Sequence, residues 1–125
     1  MILDTSALIA ILQEEPDSDA LMDRMLRAAT PRLSAGTLIE ARMVATRIGG
    51  TKQLETLLET ADVEVVPVDR RQADLAVEGF RRFGKGRDPA GLNYGDLFAY
   101  ALARAFDEPL LCKGDDFGRT DVKLA

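Results

Sequence analysis

The chain has 125 residues, 46% apolar and 30% charged, a balance that builds one globular domain over residues 1–125 and excludes a disordered protein. Its net charge of -5 excludes nucleic-acid binding by bulk positive charge, and its one cysteine, Cys112, excludes an internal disulfide framework and fits a reducing compartment. The absence of histidine removes imidazole catalysis, Ser-His-Asp triads and His-containing zinc sites, so any chemistry rests on carboxylates, hydroxyls, Lys, Arg, the Cys or a metal ion.

In chain order, Met1–Leu3 reads as a short buried strand. It ends at Asp4, Thr5 and Ser6, and the apolar pattern resumes as a helix through Ala7, Leu8, Ile9, Ile11 and Leu12. Asp17 is expected to cap a second helix through Leu21, Met22, Met25, Leu26 and Ala29. Arg32–Ser34 is a candidate strand leading to a third helix from Thr37 to about Ile48, which Gly49 and Gly50 end. A fourth helix covers about Thr51–Thr60, and β-branched Val63–Val68 reads as a buried strand. Asp69 and Gln72 resemble a capping box opening a helix from Arg70 to about Phe83, with Ala73, Leu75, Ala76, Phe80 and Phe83 inward. The glycines and proline of Gly84–Asn93 make the one substantial loop. Tyr94–Phe106 is then a strongly apolar helix, Pro109–Cys112 a short buried strand, and Val122–Leu124 a last edge strand. Short apolar strands alternating with amphipathic helices imply an α/β fold, a parallel sheet with helices on both faces.

No basic segment precedes the opening apolar run, which acidic Asp4, Glu14 and Glu15 break up, so no signal peptide is expected. No run reaches the ~18 uninterrupted apolar residues of a membrane span. The chain is therefore expected to be cytoplasmic, with no membrane partner.

In an open α/β sheet, ligands gather at the carboxyl ends of the strands. Asp4 ends the first strand, Glu40 lies in the first turn of the third helix, Asp96 opens the helix after the loop, and Asp115 and Asp116 follow the Pro109–Cys112 strand. Each also has an ordinary explanation. Asp4 suits an N-cap, Thr37–Glu40 a capping box, Asn93 a cap with Asp96 at N3, and Asp115–Asp116 a surface turn. Together they are harder to dismiss. Two carboxylates ~4 Å apart repel by roughly 4 kcal/mol at an effective dielectric of 20, more than helix dipoles of ~0.3–1 kcal/mol each offset. Such a pocket needs protons or cations, and oxygen donors without His or Cys suit Mg²⁺ or Mn²⁺.

The segments Ile2-Leu3-Asp4-Thr5-Ser6-Ala7, Glu40, Leu92-Asn93-Tyr94-Gly95-Asp96 and Lys113-Gly114-Asp115-Asp116-Phe117 resemble, in order and spacing along the whole chain, those of PIN-domain ribonucleases, and more closely the VapC-type toxins of bacterial toxin–antitoxin pairs. The resemblance implies a PIN-like fold and Mg²⁺- or Mn²⁺-dependent RNA cleavage. It makes Asp4 and Asp96 the metal ligands, Glu40 a further member of the catalytic pocket, and Asp116 the fourth acid, with neighbouring Asp115 as the alternative. Thr5 or Ser6 would hydrogen-bond Asp4 or a water on the metal, and Asn93 would cap the helix that carries Asp96. A cognate antitoxin protein and a homodimer are also implied, with surfaces sought on the apolar helices around Leu21–Leu26 and Leu54–Leu58.

A metal-activated water attacking phosphorus leaves a 3′-hydroxyl and a 5′-phosphate and requires no imidazole. Arg81, Arg82, Lys85 and Arg87 form the one dense basic stretch, either an RNA-contacting patch or a solvated helix end; Lys113 and Arg119 flank the last acid and are further phosphate candidates. Two other enzyme classes fit poorly. A haloacid-dehalogenase phosphatase needs a second Asp where Ser6 stands, and a receiver domain needs an acidic pair near Asp4 even if Asp69 passes as its acceptor. A PIN-like module that binds RNA or a partner without cutting is the non-enzymatic alternative.

Overall fold

A computed structural model of the protein describes residues 1–125. Four strands form one parallel sheet in the order β3-β2-β1-β4: β1 Ile2–Leu3, β2 Arg32–Ser34, β3 Glu64–Val66 and β4 Leu110–Leu111. Six helices connect and cover them: α1 Thr5–Leu12, α2 Ser18–Arg27, α3 Ala35–Ile48, α4 Thr51–Thr60, α5 Arg70–Phe83 and α6 Tyr94–Phe106, with a short 3-10 turn at Phe117–Arg119. The expected α/β class with a parallel sheet is what the chain forms.

Side chains alternate across the strands and divide the core in two. Leu3, Leu33 and Leu111 meet Leu8, Met25, Ala41, Leu54 and Leu58 on one side; Ile2 and Leu110 meet Leu97, Tyr100, Leu102 and Phe117 on the other. Strands of two or three residues supply few ladder hydrogen bonds. Burial of these faces, roughly 1.5–3 kcal/mol for each fully buried Leu or Ile, therefore holds the sheet.

The structure revises several local expectations. Ser34, whose hydroxyl accepts from Gly36 N–H at 3.2 Å, caps α3, so the helix begins at Ala35, and Glu40 stands in its second turn. Strand β3 is shorter than expected and is an edge strand, with Val65 exposed rather than buried. Of the tail, a single bridge between Leu110 and Leu124 forms in place of a strand. Helix α5 has the expected span, but it buries Gln72 and Gly79, while Ala73 and Phe80 face outward. Of the leucines on the two helices where a partner surface was sought, Leu21, Leu54, Leu57 and Leu58 lie in the core, the ordinary place for a leucine, and Leu26 is exposed.

Candidate metal centre

The register Ile2↔Leu110 and Leu3↔Leu111 brings the carboxyl ends of β1 and β4 level, and the Asp4 N–H donates to Leu111 O at 3.0 Å. Asp4 Oδ2 accepts from the Ser6 N–H at 3.0 Å and the Ser6 hydroxyl at 2.6 Å, and so caps α1. Ser6 Oγ in turn accepts from the Lys113 N–H at 2.9 Å, which ties the loop after β4 to the same corner. Asp4 Oδ1 is buried and has no hydrogen-bond partner. With the residue 3% exposed, burial pushes the Asp4 carboxyl above its ordinary range and the Glu40 charge adds to this, against the hydrogen bonds from Ser6. The cap and the orphaned oxygen coexist on one side chain.

Glu40 does not join a capping box with Thr37, because α3 starts earlier; the Thr37 hydroxyl is instead buried without a partner. Thr5 Oγ1 donates to Glu40 Oε1 at 2.6 Å. The other oxygen rests on the first turn of α6: a Cβ placed on Gly95 falls 1.8 Å from Glu40 Oε2. The patterning of the sequence gives no sign of this contact beyond a glycine in the first turn of a helix.

Asp96 sits at N3 of α6 in the expected capping box, with Asp96 N–H donating to Asn93 Oδ1 and Asn93 N–H to Asp96 Oδ2, both at 3.0 Å. Burial, with the charges of Asp4, Glu40 and Asp116, raises its carboxyl to about 6 despite the Asn93 N–H. Asp115 and Asp116 are both exposed, and Asp116 is the one whose charge acts on Asp96 and on Cys112. The half-buried Cys112 thiol is pushed up to about 11 by burial and by Asp4, Asp96 and Asp116. The termini of β1, α6 and β4 and the second turn of α3 thus bring Asp4, Glu40, Asp96 and Asp116 into one electrostatic cluster.

No Lys or Arg forms a salt bridge with any of these acids. Nor do three Asp, Glu or Cys groups close on a single point as a complete protein cage. Carboxylate oxygens free of ion pairs, the unpartnered Asp4 Oδ1 first among them, are donors of the hard kind that Mg²⁺ takes one or two at a time, with water in its other positions.

The basic residues divide. Arg82 pairs with Asp121 at 3.0 Å, within a network that also joins Arg104 and Tyr100 to that acid. Lys113 pairs with Glu15 and Asp17, Arg119 donates to Pro89 O at 3.1 Å, and Arg87 lies 5.5 Å from the Phe80 ring centre. Arg81 and Lys85 are exposed and have no acidic partner. The largest cleft, about 610 Å³, is apolar and runs between α5 and α6 past Lys85, Asn93 and Tyr94 rather than over the acids. A second, about 540 Å³, lies between α3 and α6 and includes Glu40 and Gly95.

The PIN domain family model matches residues 1–123. The chain is 46% identical over 125 residues to a Ribonuclease VapC of Mycolicibacterium smegmatis, covering 98% of this chain and 97% of that protein. It is 46% identical over 129 residues to Ribonuclease VapC28 of Mycobacterium tuberculosis, covering 100% and 97%. In fold it is similar to a chain of a toxin–antitoxin complex from Klebsiella pneumoniae, with a TM-score of 0.76 at 15% identity over 99% of this chain and 95% of that one.

Proposed function

The chain belongs to the PIN-domain family and, within it, to the VapC ribonucleases, the toxins of VapBC toxin–antitoxin systems, and from that premise we propose that residues 1–125 act as one cytoplasmic domain that hydrolyses RNA phosphodiester bonds with Mg²⁺ or Mn²⁺ held by Asp4 and Asp96. The observation that carries the metal assignment is Asp4 Oδ1, a buried carboxylate oxygen with no partner, beside acids that no cationic side chain neutralises. Burying such a charge uncompensated is costly, and a divalent ion removes the cost.

A bound Mg²⁺ or Mn²⁺ supplies Lewis acidity at the phosphoryl oxygens and acidifies a water for in-line attack. The protein's own groups do the rest. Ser6 fixes one oxygen of Asp4 and leaves the other free, while Asn93 fixes one oxygen of Asp96. Glu40, held by Thr5, and Asp116 add the negative charge that retains a cation and orients water around it. Attack by water rather than by the ribose 2′-hydroxyl leaves 3′-hydroxyl and 5′-phosphate ends. Arg81 and Lys85, without acidic partners, take the phosphate-contacting role; Arg82 and Lys113 are committed to intramolecular pairs.

The test is digestion of a structured RNA pool in Mg²⁺, Mn²⁺ or EDTA by the parent chain and by folded Asp4→Asn and Asp96→Asn variants. Cutting is expected with either ion, to stop in EDTA and to fall by at least about 100-fold in each variant. Fragments ending in 2′,3′-cyclic phosphate, or cutting undiminished in EDTA, would overturn the mechanism. The likeness to a chain of a toxin–antitoxin complex supports a cognate antitoxin as partner. A homodimer is supported by the exposed apolar face of α3, α5 and α6, where Ile39, Met43, Val77, Phe80 and Tyr94 lie open.

A further inference from the structure

Three helical glycines stand where an added Cβ would collide with another side chain. At Gly36 and Gly79 the obstacle is an aromatic ring, Phe98 at 2.3 Å and Tyr100 at 2.5 Å, so those glycines serve helix packing. At Gly95 the three nearest atoms all belong to the carboxyl end of Glu40, the closest at 1.8 Å. Gly95 is the second residue of α6 and its φ is not positive, so the backbone does not call for glycine there. Glycine is the least favoured residue but proline inside a helix. What the position requires is space, and the atom that takes the space is a carboxylate of the acidic cluster.

We propose that Gly95 is a positioning residue, whose missing Cβ seats the Glu40 carboxylate between Thr5 and the turn that carries Asp96. This inference rests on the reading of the acids as a cation site. Thr5 on α1 holds Oε1, and bare backbone on α6 leaves room for Oε2, so two elements define the place of one side chain. The three atoms nearest to an alanine methyl there are all at the far end of a flexible side chain, which can swing away. Gly95→Ala therefore moves Glu40 off Thr5 and leaves the fold intact.

The free Mn²⁺ signal in electron paramagnetic resonance measures affinity without reference to RNA cleavage. Gly95→Ala is expected to weaken Mn²⁺ binding about tenfold, as loss of a supporting residue around a metal does, while melting at or above the parent temperature without metal. In a Glu40→Gln background the same substitution is expected to change affinity less than twofold, because the carboxylate it acts through is gone. A crystal structure of Gly95→Ala is expected to show Glu40 Oε1 out of hydrogen-bond reach of Thr5. Glu40 unmoved in that structure, Mn²⁺ affinity equal to the parent's, an undiminished tenfold effect in the Glu40→Gln background, or a chain that no longer folds would each overturn the role. Failure of the parent chain to bind Mn²⁺ would instead overturn the metal reading, and this inference with it.

Discussion

Asp96 supports the folded chain better when protonated than when ionised. Its carboxyl rises from 3.8 to about 6 on folding, so between those values the folded state holds more proton than the unfolded one. The folding stability it contributes therefore falls as pH rises through that window, opposite to the effect of an acid in a salt bridge. Asp4, also raised, acts in the same direction. Without metal, the chain is expected to lose less stability between pH 5 and pH 7 once Asp96 is replaced by Asn, as calorimetry would show; equal losses would remove Asp96 as the cause. Saturating Mn²⁺ should raise the melting temperature more at pH 7.5 than at pH 5, because protons compete for the same oxygens. Among the cations, Arg81→Glu and Lys85→Glu should weaken RNA binding and flatten its salt dependence by about one phosphate contact each. Arg82→Glu should act mainly by breaking the pair with Asp121, lowering thermal stability; a salt slope changed by Arg82→Glu alone would reverse that assignment.

Helices α5 and α6 meet through a glycine. Tyr100 is fully buried, donates to Asp121 Oδ1 at 2.9 Å and has its ring over Gly79, so it has nowhere to retreat. Gly79→Ala is expected to cost about 1–3 kcal/mol by overpacking, measured by denaturant unfolding, in contrast to the neutral or stabilising effect expected of Gly95→Ala. The same contrast marks what the sequence makes legible. Caps are local, so the Asn93–Asp96 box, the Asp69 cap and the placing of acids at strand ends can be read from neighbouring residues. The start of α3 cannot be read so well, because Ser34 and Thr37 both make acceptable caps and packing decides between them. Strand order is not local, and so Val63–Val68 looks like a buried strand although β3 lies at the sheet edge. Periodicity identifies an apolar helix face without naming what covers it. The leucines of α2 and α4 are therefore hard to tell in advance from the open face of α5.

That open face belongs to the molecule as a whole. Val77, Phe80 and Tyr94 border the cleft between α5 and α6, and Ile39 and Met43 continue it onto α3. If two copies join there, Val77→Asp or Met43→Asp should convert a dimer to a monomer in sedimentation velocity with the melting temperature little changed; a parent chain that sediments as a monomer at every concentration would remove the dimer. The order of the sheet has a further consequence, in time rather than in space. Asp4 is synthesised well before its partners, for β1 lies between β2 and β4, the Asp4 N–H donates to Leu111 O, and the Ser6 hydroxyl accepts from the Lys113 N–H, 107 residues further on. Until Leu111–Lys113 has left the ribosome, β1 lacks one neighbour and the acids lack their corner. The proposed nuclease centre therefore assembles late, only after a stretch of chain distant in sequence from Asp4 has been made and has docked beside it.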